Sequence, residues 1–160
     1  MKAEVPVIIS TAYSGKEKNL YLGSWRAALK DSPAGEDMKD HVYTRFFNIV
    51  SADFLGPKDN QIELAPDCHL LTVRRQDQPD TILSWMLLTN LKPGAAIHFC
   101  FTKYDFRNRG YARLLLGVAD EIAGGGPLYN TVLPRTNLIP TLKKYGIEYV
   151  PIDKYVRKNL

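Results

Sequence analysis

The run FRNRGYARLLLGVADE, residues 106–121, sets Arg107, Asn108, Arg109 and Arg113 around the lone Gly110, directly before an apolar-periodic helix. Residues of those types at that spacing suit an anion. A helix that starts at the carboxyl end of a strand presents unpaired amides and the positive end of its dipole, and together these make an anion site. Gly110 has no Cβ to keep a ligand off the backbone, and Ala112 keeps the turn narrow. Several adjacent amides in an arc suit a diphosphate. The plainer alternative is a solvated corner that happens to carry arginines. Two familiar phosphate loops do not fit: the chain has no G-x-x-x-x-G-K-[ST], and a single glycine is too few for the dinucleotide fingerprint.

The elements that must position this turn are readable from periodicity. VPVIIST (5–11) is short and β-branched, hence a strand. Ser14 and Glu17 then have the spacing of a capping box, and Leu22, Trp25 and Leu29 form one helical stripe. DSPAGED (31–37) breaks that helix. A second starts near Met38, with Val42, Phe46, Ile49 and Val50 as its apolar face. Residues 56–67 are polar and proline-bearing, which predicts a loop. HLLTVRR (69–75) and TILSWMLL (81–88), split by QDQPD, predict an antiparallel hairpin. The second of these is nearly all apolar, as a strand covered on both faces must be. AIHFCFT (96–102) sets Ile97, Phe99 and Phe101 on one face against His98, Cys100 and Thr102 on the other.

The helix after the basic turn should bury Tyr111, Leu114, Leu115, Val118 and Ile122, and GGGP (124–127) ends it. LYNTVL (128–133) predicts a strand, residues 137–144 a short helix, and IEYVPI (147–152) a last strand. The order β-α-α-β-β-β-α-β-α-β implies an α/β fold: a mixed central sheet with helices on both faces. Its β-α-β unit at 96–133 should be a right-handed parallel crossover. Trp25 and Trp85 are expected in the core, and Lys154, Arg157 and Lys158 in a solvated C-terminus.

At 160 residues the chain is the size of a single domain, 1–160. Lys plus Arg exceed Asp plus Glu by four, a balance compatible with a phosphate-bearing ligand or with nucleic acid. No dense basic run is present, which favours the small anion. Cys68 and Cys100 make no disulfide framework, no secretory pattern opens the chain, and no apolar stretch approaches the roughly 20 residues a bilayer demands. A cytoplasmic protein with reduced thiols and no membrane contact is expected.

Other chemistry-bearing residues are sparse. His98 could act as a base near neutrality, although a lone histidine on an apolar strand is also the pattern of a packed, hydrogen-bonded core residue. Asp105 suits a helix start better than catalysis. Cys100 has no readable histidine and carboxylate partners for nucleophilic work, and a buried cysteine usually serves as a small apolar side chain. Cys68, His69, His98 and Cys100 lack C-x-x-C or H-x-x-x-H spacing, so no metal is expected.

FTKYDFRNRGYARLLL resembles the acetyl-CoA-binding motif of the GNAT acyltransferase superfamily, Q/R-x-x-G-x-G/A, with Arg107, Gly110 and Ala112 at the defining positions. The resemblance extends to the β-α start through SWRAALK, to ILSWM, and to LKKYGIEYV as the closing Y-x-x-x-G-F region. The early SW and the F-R-x-x-G-x-A core are also similar to small phage-encoded acetyltransferase-like proteins. It implies acetyl-CoA, or another acyl-CoA, as co-substrate, with its pyrophosphate on the amides of residues 107–112. Arg107 would shape the loop while Arg109 and Arg113 attract the anion, so that Arg107, Asn108, Arg109, Gly110, Tyr111, Ala112 and Arg113 form the cofactor turn. Cys100, Phe101 and Thr102 match the segment that pairs with the pantetheine arm through main-chain hydrogen bonds.

The activity so implied is N-acyl transfer by direct attack of an amine on the thioester. The family's tyrosine acid stands four residues before the closing glycine. Counting back from Gly146 reaches Leu142, so Tyr145 becomes the candidate acid, with Tyr129 and Tyr149 as alternatives. His98 is the candidate base, and loss of the proton to water would need none. The acceptor would be a small-molecule or protein amine. Two other readings keep the fold: a member that modifies nucleobases or nucleic acid, and a non-catalytic module that binds CoA or a protein.

Overall fold

The computed structural model describes residues 5–30, 38–131 and 139–150. The break at 31–37, the end of the strand from 128, the start of the helix from 137, the end of the last strand and the basic C-terminal cluster lie outside them. The strands are β1 (Val7–Ser10), β2 (Cys68–Arg75), β3 (Ile82–Asn90), β4 (Ala95–Thr102), β5 (Leu128–Asn130) and β6 (Glu148–Tyr149). The helices are α1 (Lys18–Lys30), α2 (Asp40–Leu55), α3 (Tyr111–Ala123) and α4 (Ile139–Lys144), with short 3-10 turns at Gly15–Glu17 and Tyr104–Phe106.

One six-stranded sheet runs in chain order from β1 to β6. The β1–β2, β2–β3 and β3–β4 pairs are antiparallel, and the β4–β5 and β5–β6 pairs are parallel. The sheet is mixed and α/β, with α1 and α2 on one face and α3 on the other, as expected. On the first face Trp25, Phe47, Phe54, Trp85 and Phe99 share one core; edge-on rings such as Trp25–Phe47, 5.7 Å apart, add to it. On the second, Leu71, Leu83, Met86, Ile97 and Leu128 pack under Tyr111, Leu115, Ala119 and Ala123. Ile82 to Leu88 are all buried, because helices cover both sides of β3.

Two helix faces differ from the periodicity reading by about one residue. In α2 the buried stripe is Tyr43, Phe47, Val50 and Phe54, while Val42 is 46% exposed. Phe47 and Phe54 pack against Trp25 and Tyr43 stacks on Phe47, and these rings decide the rotation. In α3 the buried stripe is Tyr111, Leu115, Ala119 and Ala123, and Leu114 is 43% exposed. Two alanines let that helix lie close to the sheet, so the bulkier Val118 and Ile122 move to its flanks.

The start of α1 is pinned from two sides. Ser14 and Glu17 form the expected capping box, and Glu17 also receives both guanidinium nitrogens of buried Arg74, at 2.6 and 2.9 Å. The Lys18 ammonium donates to the carbonyls of Gly56 and Lys58 at 2.8 and 2.6 Å. At the other end of the sheet, a Cβ on Gly126 would fall 2.2 Å from the Gly94 amide nitrogen. That contact is possible only for glycine, and it brings the end of α3 against the turn that feeds β4.

Candidate functional site

β4 carries the site on its unpaired flank. On the β3 side its outer half is fully paired, from Phe99 opposite Leu87 to Thr102 opposite Ser84. On the β5 side the last parallel pair among the described residues is Ile97 opposite Asn130, followed by the Thr131 amide donating to the Ile97 carbonyl at 3.0 Å. Among the described residues no strand pairs with 99–102 on that flank. A cavity of about 920 Å³ opens there, lined by Phe99 to Thr102 of β4, within the size range of small-molecule sites.

The turn after β4 forms the mouth. Phe106, Arg107, Asn108 and Gly110 line it, followed by Tyr111, Ala112, Arg113 and Leu116 of α3. Asn108 and Gly110 both have left-handed backbones, φ 61° and 83°, so the chain reverses hand twice in a few residues. The amides of 108–113 have no acceptor among the described residues, and no side chain caps the helix. A Cβ on Gly110 would meet no heavy atom within 4 Å. The glycine therefore faces open space, and its role here is the backbone angle and the clearance above it.

The three arginines of the turn behave differently. Arg107 folds back: its Nε donates to the Thr102 carbonyl at 3.1 Å, and its guanidinium lies over the Phe101 and Tyr104 rings. It ties the end of β4 to the turn. Arg109 donates to the Asp105 carbonyl at 3.3 Å and lies over Phe106, outside the cavity wall. Arg113 is in the wall.

Of the candidate acids, Tyr145 alone among Tyr129, Tyr145 and Tyr149 lines the cavity, and it is 37% exposed. Leu142, at the position the family motif gives to tyrosine, packs against the α3-side core. Cys100 is exposed on the cavity wall.

His98 is not brought to the cavity. It is fully buried, its ring lies 4.2 Å from that of Phe54, and both nitrogens are engaged. Nε2 is 2.7 Å from the Thr89 hydroxyl and Nδ1 2.9 Å from the Thr131 hydroxyl. Thr131 donates its own proton to the Ile97 carbonyl, so its oxygen accepts from Nδ1–H, and Nε2 accepts from Thr89. Burial pushes the imidazole pKa down to about 3, because the charged form has no water. A histidine held neutral behind Phe54 does not serve an acceptor in the cavity as base. The same residue breaks the expected alternation of β4: Leu88 pairs Ile97 and Leu87 pairs Phe99, which makes a bulge at His98. Ile97 consequently belongs to the α3-side core and Phe99 to the other.

The fourth wall lies outside the sequence expectations. Gly23, Ser24, Ala27 and Ala28 of α1 also line the cavity. Their signal is in the sequence as small residues recurring at i and i+4, a pattern that an apolar-stripe reading passes over. Ser24 also accepts from the Trp85 indole N–H at 3.0 Å, which fixes this face against β3. Among the described residues no group of three His, Cys, Asp or Glu side chains could hold a metal ion, and no helix is long and apolar enough to cross a membrane.

No family model matches the chain, and no curated protein matches it. Solved structures do. YycN of Bacillus subtilis aligns over 97% of this chain and 93% of its own at 16% identity, with a TM-score of 0.58. An acetyltransferase of the GNAT family from Staphylococcus aureus aligns over 88% and 80% at 12% identity, TM-score 0.54. The PaiA N-acetyltransferase of Thermoplasma acidophilum, solved in complex with coenzyme A, aligns over 88% and 87% at 15% identity, TM-score 0.52. At such identities what is shared is the path of the backbone, and that path is the fold of the GNAT acetyltransferases.

Proposed function

We propose that the cavity holds an acyl-CoA and that the chain transfers its acyl group to an amine. The observation that carries this reading is the turn at 108–113: amides without acceptors among the described residues, a left-handed Gly110 opening onto empty space, and Arg113 beside them at the mouth of a large cavity. Such a corner fits a pyrophosphate. The unpaired flank of Phe99–Thr102 fits the amide groups of a pantetheine arm, which would add to β4 as a short strand. Cys100, Phe101 and Thr102 would serve through their main chain. Asn108, Tyr111 and Ala112 would shape the phosphate corner, Arg107 would brace it, and Arg109 would contribute charge at longer range.

An acyl-CoA supplies an activated thioester. The amine nitrogen forms the new C–N bond, the C–S bond breaks, and the departing sulfur takes a proton. Tyr145, the more exposed of the two phenols that line the cavity, Tyr111 and Tyr145, is placed to give it. With His98 buried, the proton of the attacking amine leaves to water. The acceptor is a small-molecule or protein amine admitted beside α1.

Isothermal calorimetry with acetyl-CoA tests the site. The wild type is expected to bind, and Gly110→Trp to lose binding while staying folded. A left-handed non-glycine residue costs about 1–2 kcal/mol, against a typical 5–15 kcal/mol of stability. Unchanged affinity in that variant would refute the site. Leu142 in place of the family tyrosine favours one second reading, a module that binds CoA without turnover. Heat from CoA with no thiol release across a panel of amines would establish it. A salt-sensitive gel shift with duplex DNA in the absence of acetyl-CoA would favour a nucleic-acid acceptor instead.

A further inference from the structure

The bulge in β4 has a specific lock. Three side-chain contacts run across the sheet in one direction: Cys68 lies 3.3 Å from the Thr89 hydroxyl, Thr89 holds His98 Nε2, and His98 Nδ1 holds Thr131. Thr131 then gives its proton to the Ile97 carbonyl, the last β4 acceptor paired on the β5 side. The lock thus sits at the last β4–β5 pairing among the described residues, and the cavity begins two residues further on, at Phe99. A bulge puts an extra residue into one strand and re-aims the side chains beyond it. Here it shifts Phe99 and Phe101 onto the α1 side and leaves Cys100 on the cavity wall.

We infer that His98, clamped between Thr89 and Thr131, is a positioning residue that fixes the bulge and so delivers the main chain of Phe99–Thr102 to the acyl-CoA arm. The inference rests on the reading of the cavity given above. A neutral imidazole suits this task because it offers one donor and one acceptor at fixed opposite ends of a rigid ring, and β3 and the end of β5 supply the matching hydroxyls. Leucine of similar bulk would fill the space against Phe54 and lose both contacts.

Thr131→Val removes the Nδ1 acceptor and the bond to the Ile97 carbonyl while keeping the shape, and Thr131→Ser restores the hydroxyl. Two measurements are made at a temperature where both remain folded: acetyl-CoA affinity by calorimetry, and amide hydrogen exchange at Thr131 and residues 98–100. Thr131→Val is expected to weaken acetyl-CoA about tenfold and to speed those amides about tenfold. Thr131→Ser should stay within about twofold of wild type in both. A fall in melting temperature with affinity and local exchange unchanged would overturn the inference, since packing alone would do that. If Thr131→Val fails to fold, Thr89→Val severs the other end of the clamp and is judged by the same two readouts. A wild type that does not bind acetyl-CoA would remove the proposed function, and exchange at Thr131 and 98–100 would still decide whether the clamp holds the bulge.

Discussion

His98 and Tyr145 show what side-chain surroundings do to two residues with comparable chemical promise. Tyr145 stands in a cavity wall with part of its ring in solvent. On the proposed reading its hydroxyl gives a proton to the leaving thiolate, and general acids of this kind contribute about 10²–10⁴-fold. Tyr145→Phe is therefore expected to lower kcat by about a hundredfold with acetyl-CoA affinity nearly unchanged, which paired turnover and calorimetry would check. His98 instead links its burial to stability. Its folded pKa, near 3, lies below the ordinary value of 6.5, so the unfolded chain binds a proton that the folded chain refuses. Stability from this group is complete above pH 6.5 and declines as pH falls toward 3. The loss should reach about 2 kcal/mol at pH 5. Glu17, held below the usual carboxylate range chiefly by Arg74, adds its own loss only below about 4.5, its unfolded value. Urea midpoints at pH 7 and pH 5 separate the two, and His98→Gln should flatten the change in that window.

At the level of elements, local patterns are readable in the sequence and long-range ones are not. The strand–turn–helix at 96–123 announces itself because each part is encoded within a few residues: alternation, then Arg107, Gly110 and Ala112, then a period near four. The capping box at Ser14 and Glu17 is legible for the same reason. That Glu17 also receives Arg74, fifty-seven positions away, cannot be read, since neither segment names the other. The bulge at His98 is hidden too, because two successive residues on one face look like ordinary alternation until the partner strand is known. The rotation of α2 depends on which aromatic rings Trp25 will accept. The wall supplied by α1 is legible in principle: Gly23 with Ala27, and Ser24 with Ala28, leave a shallow helix face where larger side chains would close the cleft. Ala27→Phe tests that wall. Ala27 is exposed, so the substitution should leave the melting temperature within about 2 °C, as surface changes usually do. Acetyl-CoA should nevertheless bind at least tenfold more weakly by calorimetry, and undiminished affinity would mean that α1 does not bound the ligand.

Across the whole molecule, the sheet divides the labour. Its antiparallel part, β1 to β4, carries both cores and the buried Arg74–Glu17 pair. Among the described residues its parallel part meets β4 at three residue pairs, Ala95 to Ile97, and the cavity lies along β4 beyond them. A ligand seated there would touch α1, β4, the turn at 106–110, α3 and Tyr145 beyond α4, elements that otherwise meet mainly through the sheet. Binding should consequently stabilise the fold as a unit rather than order one loop. At a free acetyl-CoA concentration a hundred times its Kd, mass action adds about 2.7 kcal/mol. For a chain of this length that corresponds to a rise in Tm of roughly 5–10 °C. Scanning calorimetry should show one transition moving upward with the logarithm of ligand concentration, and Gly110→Trp should abolish the shift without splitting the transition. A second transition that stayed at the ligand-free temperature would show that the ligand engages only part of the structure, and the picture of one site braced by both faces of the sheet would fail.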